Sequence, residues 1–166
     1  HLRAAQMLDI PVVGCHTAPD NLAWEYMEKQ ICKKHFPDLA ALMDALFDVP
    51  EFKEAACMGK QPLLVHGSKT QRPGKIVATG FTGGTNGAEE LIERQANAGV
   101  GTILCMHFTD KEVELGKKHH VNLVQCPHIA SDSLGINLLL DALMKIDKRL
   151  TIMPFSGFIR IERGKK

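Results

Sequence analysis

Apolar residues recur along this chain in two rhythms. Leu39, Leu42, Met43 and Leu46 stand at the 3.6-residue spacing of a helix and predict one over 39–47. Short, nearly unbroken apolar runs at 11–15, 63–66, 75–80, 102–106 and 122–126 have the length and composition of buried strands. Amphipathic stretches predict further helices over 2–9, 21–34, 51–58, 88–97, 110–118 and 132–145. Within 21–34, Leu22, Tyr26 and Ile31 share part of one face. The helix over 132–145 is expected to start from a Ser131 N-cap and to bury Leu138, Leu139, Ala142, Leu143 and Ile146. Short strands over 150–153 and 158–161 are expected to finish the chain.

From residue 75 onward strand and helix alternate, so the expected class is α/β with a largely parallel sheet. The polar, turn-forming run Gly67-Ser68-Lys69-Thr70-Gln71-Arg72-Pro73-Gly74 is the expected boundary. It separates a first half, 1–66, from a second α/β half, 75–166, with 67–74 as the loop between them. The chain opens at His1 inside an amphipathic pattern (Leu2, Ala5, Leu8), so it is expected to begin in mid-element, with residues missing upstream.

Composition narrows the class further. The 166 residues are 45% hydrophobic and carry a net charge of +1. No basic stripe or tail is present, which argues against a nucleic-acid partner held by phosphate attraction. No apolar run approaches the ~20 residues of a membrane span, and no secretory signal opens the sequence. Five cysteines, an odd number with no C-x-x-C, fit a reducing, cytoplasmic setting and no zinc knuckle. Cys15 and Cys126 are expected to face the core, as free cysteines usually do.

One short pattern occurs twice. Val12-Val13-Gly14-Cys15 leads into His16-Thr17-Ala18-Pro19-Asp20, and Leu123-Val124-Gln125-Cys126-Pro127 leads into His128-Ile129-Ala130-Ser131-Asp132. Each is an apolar run, a cysteine near its end, then His-x-x-x-Asp. Imidazole and carboxylate are good donors to a divalent metal, and strand C-termini are where α/β sheets place their chemistry. A site built from two related halves is the functional reading. The structural alternatives are that His128 caps a strand, that Asp132 favours a helix N-terminus, and that Asp20 with Asn21 caps the next helix.

Two other places carry candidate chemistry. Phe81-Thr82-Gly83-Gly84-Thr85-Asn86-Gly87 follows a predicted strand, so Gly83 and Gly84 could offer backbone N–H groups to a phosphate or other anion. The loop lacks a P-loop lysine, and a tight packing turn explains it equally well. His107 ends another predicted strand, as a proton-transfer residue, a partner of the metal ligands, or a capping histidine. His119 and His120 read as charges at a helix C-terminus, and His35 and His66 as ordinary surface residues. There is no G-x-S-x-G elbow for a serine nucleophile.

The string His128-Ile129-Ala130-Ser131-Asp132-Ser133-Leu134-Gly135-Ile136-Asn137 resembles the Nif-three-like dinuclear metal-centre family, named for a yeast Ngg-interacting factor. His16-Thr17-Ala18-Pro19-Asp20-Asn21 is similar to the family's His-Thr-x-x-Asp segment, and Gly83-Gly84 stands where a glycine loop precedes a helix. The resemblance covers essentially the whole chain but only the later part of the family's length. It implies two related, intertwined α/β halves assembled into a toroidal hexamer. It also implies two divalent ions, zinc, iron or manganese, held by Asp20, His128 and Asp132, with His16 either a ligand or a neighbour of the ligands. Three departures stand out. The family's upstream pair of adjacent histidines has no counterpart in 1–15. Cys126-Pro127 replaces Ala-Gly before the histidine, and Met106-His107 replaces a Gly-acid pair.

The resemblance implies a dinuclear metal-dependent hydrolase of the cyclohydrolase kind, acting on a nucleotide or another phosphorylated small molecule, with His107 or His16 moving protons. The alternatives are a non-catalytic metal-binding regulatory or scaffold protein, and a nucleotide-binding domain that uses the glycine loop without metal. An open coordination position beside a solvent-filled pocket favours catalysis, and a saturated shell favours structure.

Overall fold

The computed structural model describes residues 2–81 and 88–163. Seven α-helices and four strands lie among them: α1 (Leu2–Met7), α2 (Thr17–Met27), α3 (Leu39–Phe47), α4 (Pro50–Cys57), β1 (Leu63–His66), β2 (Lys75–Ala78), α5 (Glu90–Asn97), β3 (Val100–Cys105), α6 (Asp110–Lys118), β4 (Asn122–Gln125) and α7 (His128–Ile146). The class is mixed α/β, as the alternating pattern predicts. None of these helices is long and apolar enough to cross a membrane.

The sheet has the order β1-β4-β3-β2. β2, β3 and β4 run parallel and β1 joins β4 antiparallel. The central strand β3 is buried on both faces, which its near-continuous apolar run requires. Its alternate side chains feed two cores. Leu104 joins Ile76, Ala78, Val124 and Cys126 against α2, α3, α4 and α7. Ile103 and Cys105 join Leu123, Val121 and Ile92 against α5 and α6.

Helix α3 matches its predicted bounds and buries the four residues its spacing selects, Leu39, Leu42, Met43 and Leu46. Asp38 caps it by accepting from the Ala41 amide at 2.9 Å. Helix α6 starts with a capping box: Thr109 accepts from the Glu112 amide, and Glu112 accepts from the Thr109 amide.

The β2 edge of the sheet is closed by side chains. Trp24 Nε1 donates to the Ala78 carbonyl at 3.1 Å, and the Ala78 amide donates to Glu28 Oε1 at 3.2 Å. Both residues come from one helical run, α2 continuing into a π-helical turn at Glu28–Cys32.

Several expected elements form differently. Helix α2 begins at Thr17, four residues before the expected start, because Pro19 is tolerated in a first turn, where its missing N–H has no intrahelical partner. Its buried residues are Pro19, Asp20, Ala23 and Met27, not the face through Leu22 and Tyr26. Residues 11–15 are not a buried strand. They are exposed, with Val13 at 87%, and meet no strand among the described residues. Helix α7 begins at His128, one turn before Ser131. Pro127 holds the N-cap position, and the Ser131 hydroxyl donates back to the Pro127 carbonyl at 2.9 Å instead of capping. The buried residues of α7 are Ala130, Ser131, Ser133, Leu134, Gly135 and Asn137, while Leu143 and Ile146 are exposed. Residues 150–153 form no strand, since Asp147 turns the chain there by accepting from the Arg149 and Leu150 amides, with side chain and carbonyl respectively.

Residues 158–161 also join no sheet, yet their backbone is bonded at alternate positions as a strand's would be. The partners are side chains one helical turn apart on α7. The Ile159 amide donates to Ser133 Oγ, the Ile161 amide to Asn137 Oδ1 and the Arg163 amide to Asp141 Oδ2. Asn137 Nδ2 completes the set by donating to the Ile159 carbonyl at 2.8 Å. The expected strand over 158–161 is thus absent, and a helix face takes the place a neighbouring strand would have.

Candidate functional site

The first turn of α2 lies against the second turn of α7, and the approach is unusually close. A Cβ on Gly135 would meet the Pro19 carbonyl oxygen at 2.1 Å and its carbon at 2.6 Å, so only glycine fits there. This contact brings the two His-x-x-x-Asp segments to one place. A cavity of about 230 Å³ opens between them, lined by Cys15, His16, Pro19, Asp20, His128, Asp132 and Ile136.

Each pair spans one helical turn, which puts positions i and i+4 on the same face. In the first, His16 Nδ1 lies 2.8 Å from Asp20 Oδ2, with the Asp20 side chain 11% exposed. Asp20 is therefore not the helix cap. It sits inside the first turn of α2 and orients the histidine that precedes the helix. A ring whose Nδ1–H donates to a carboxylate presents Nε2 as a free lone pair, the tautomer metal-bound histidines use. In the second pair, His128 Nε2 and Asp132 Oδ2 are 3.8 Å apart, too far for a hydrogen bond. Both remain half-exposed to the cavity.

The charges do not balance within the cavity. Burial pushes the Asp132 carboxyl above its usual range; His128 and His16 draw it partly back, and the negative charge of Asp20 adds to the rise. Two carboxylates thus line one space, and the negative charge of Asp20 disfavours ionisation of Asp132. A cation between them would relieve that repulsion, so the donor set suits a divalent ion in chemistry. In the described residues, no three His, Cys, Asp or Glu side chains are close enough together to hold a metal ion as they stand.

His107 and His128 follow the C-terminal ends of the adjacent parallel strands β3 and β4. The Cys126 amide donates to the Cys105 carbonyl at 2.8 Å, carrying the pairing one step past the strands. The two imidazoles consequently meet, with ring centroids 5.3 Å apart and planes tilted 38°. His107 stands behind His128 and outside the lining of the cavity. Gly83 and Gly84 lie outside the described residues.

Cys126 is fully buried, as expected. Cys15 is not: it is exposed and lines the cavity beside His16. The expectation of a core cysteine followed from treating 11–15 as a strand, and it falls with that strand.

Sequence reasoning missed the polar cluster that braces α7. Asn137, fully buried, donates to Glu51 Oε1 at 2.9 Å and accepts from Arg160 at 3.1 Å, besides holding residues 159 and 161. Arg163 pairs with the buried Glu51 and stacks over Tyr26 at 5.4 Å. Arg160 pairs with Asp141. The signal was present in the string itself, where Ser133, Asn137 and Asp141 recur every four residues along the helix.

No family model matches the sequence, and no curated protein matches it. Two solved structures are similar. A NIF3 superfamily protein from Sphaerobacter thermophilus shares 29% identity over 87% of this chain and 53% of that one, with a TM-score of 0.72. Reduced HcgD from Methanocaldococcus jannaschii shares 16% identity over 88% of this chain and 61% of that one, with a TM-score of 0.57, a likeness of fold. The chain thus spans just over half the length of the first and about three-fifths of the second. The first likeness supports a NIF3-like assignment, and the second agrees with it in fold.

Proposed function

We propose that this NIF3-like chain binds divalent metal, two ions in the complete site, and serves as a metal-dependent hydrolase of a nucleotide or another phosphorylated small molecule. The observation that carries this reading is the cavity itself, where two His-x-x-x-Asp pairs from different helices line one space and the charge of Asp20 adds to the cost of ionising Asp132. Asp20, His128 and Asp132 would hold metal. His16, with Asp20 on its Nδ1, would add a further nitrogen or steer the carboxylate.

Metal at such a site supplies a polarised phosphoryl or carbonyl oxygen and an activated water. The chain's own residues do the rest. The first turns of α2 and α7 hold the donors on rigid helices, and the Gly135–Pro19 contact fixes their separation. His107, whose ring lies tilted beside that of His128, would pass a proton to or from the wall of the cavity. Gly83 and Gly84 follow the third parallel strand, β2, and would add backbone donors for a phosphate. Assembly into a homo-oligomer, a hexamer by the resemblance, and a cytoplasmic setting belong to the same proposal.

Metal content per chain tests it, measured on protein purified without chelators and on His128→Ala. Near two equivalents, lost in the variant, is the expected result. No metal in either protein overturns the reading.

A further inference from the structure

A second and larger cavity also reaches His128, which lines both spaces. Its volume is about 750 Å³, within the ~300–1,000 Å³ usual for small-molecule sites. Braced segments form its walls. Helix α4 ends in a full Schellman turn, the Gly59 amide donating to the Ala56 carbonyl and the Lys60 amide to the Ala55 carbonyl. That turn needs the positive φ of Gly59, +74°, and it fixes the lead from Met58 through Gln61 into β1. Another wall is Ile159, whose amide donates to Ser133 Oγ and whose carbonyl accepts from Asn137 Nδ2. The first turn of α7 adds Ile129, and the sheet adds Leu63 beside its cross-strand partner Gln125. Met58, Leu63 and Ile129 all keep apolar surface in water along this space.

Polar chemistry enters this apolar space at Gln61 and Gln125. Neither carboxamide hydrogen-bonds to another described residue, so each offers N–H donors and a carbonyl acceptor. An acyl chain would leave those groups unused. A heteroaromatic ring with donors and acceptors on its edge would use them, and its flat faces suit the aliphatic walls of Leu63, Ile129 and Ile159. We infer that this cavity binds the heteroaromatic ring of the substrate, with Gln61 and Gln125 reading the ring edge and His128 marking where the ligand passes into the candidate metal site. Calling that ligand a substrate rests on the hydrolase reading above, whereas ring binding itself needs no metal.

Fluorescence anisotropy of formycin, an uncharged fluorescent purine nucleoside, tests this on the chelator-treated chain. Saturable binding is expected, weakened at least ~10-fold in Ile129→Trp, which fills the cavity from an exposed position. Gln61→Leu and Gln125→Leu are each expected to weaken it about 5-fold, while binding of pyrene, a ring without edge donors or acceptors, is not weakened by either. Ile146→Trp, on the same helix but outside the cavity, should bind formycin as the natural chain does. No saturable formycin binding, or binding that Ile129→Trp leaves unchanged, overturns the site. Gln variants that bind formycin as tightly as the natural chain overturn the ligand class. On zinc-loaded protein, formycin monophosphate is expected to bind at least ~10-fold more tightly than formycin, and equal affinity there overturns the passage into the metal site. A chain that takes up no zinc yet binds formycin as expected refutes the metal reading and keeps the ring site.

Discussion

Gly135 of α7 lies against the carbonyl of Pro19 in α2, closer than any side chain allows, since a Cβ there would sit 2.1 Å from that oxygen. Backbone cannot yield as a flexible side chain can. Gly135→Ala is therefore expected to force the helices apart, costing about 1–3 kcal/mol as overpacking does. It should also weaken metal binding, because the same contact sets the span between the two His-x-x-x-Asp pairs. Gly14→Ala, where an added Cβ meets nothing within 4 Å, serves as the control. Urea unfolding and metal stoichiometry on both variants check the prediction; equal stability would show that the crossing has slack.

Asn137 makes four hydrogen bonds while fully buried, to Glu51, Ile159, Arg160 and Ile161. Asn137→Ala removes all of them and leaves the partly compensated Glu51–Arg163 and Arg160–Asp141 pairs with fewer partners. A loss of at least ~3 kcal/mol is expected, at the upper end for single substitutions. Because Asn137 holds residues 159 and 161 directly, limited proteolysis should cleave near them in the variant before the rest of the domain unfolds. Cleavage spread evenly over the chain would argue against a local strap.

Asp132 has a folded pKa raised from its model-compound value of 3.8. A raised carboxylate pKa favours folding only while the group is protonated. That contribution is fully present below the unfolded value and is lost as pH rises through the folded one, so the ionised side chain weighs against the fold at neutral pH. Asp132→Asn is accordingly expected to raise the Tm of the metal-free protein at pH 7, with the difference shrinking at pH values below the unfolded pKa. In the presence of excess zinc the order should reverse, since only the carboxylate form gains stability from a bound cation. Thermal scans with chelator and with metal, at both pH values, read each part separately.

Trp24 is the sole tryptophan, and its indole bonds the edge strand through the Ala78 carbonyl. Trp24→Phe keeps most of the ring but drops the donor, and is expected to cost about 0.5–1.5 kcal/mol. Hydrogen exchange should quicken at the β2 edge and stay slow in β3 and β4. Uniform quickening would mean that the bond serves global stability and not the edge.

The sequence made much of this molecule readable where local pattern and tertiary packing agree. Helix α3 and strands β3 and β4 follow from spacing and composition because their apolar residues are the ones actually buried. The pairing of His16 with Asp20 and of His128 with Asp132 was visible in the repeated spacing. Their meeting in one site was expected from the duplication; how close the two helices come was not legible, because it depends on Gly135 admitting the Pro19 carbonyl. Failures cluster where an apolar run found no neighbour, as at 11–15, or where polar side chains took over a structural task. Leu143 and Ile146 look like core on a helical wheel, yet the buried half of α7 is the half rich in serine, glycine and asparagine. Hydrophobicity could not show that, since those residues are buried for close approach and hydrogen bonding.

Helix α7 divides its labour by face. His128 and Asp132 look into the cavity, whereas Ser133 and Asn137 grip the C-terminal segment and Gly135 seats α2. A lineage without the proposed metal could change the first two residues freely and still be obliged to keep the other three. Half of the string by which such chains are recognised is thus a record of architecture, and a match that retains Gly135 and Asn137 while losing His128 identifies a shape without a chemistry.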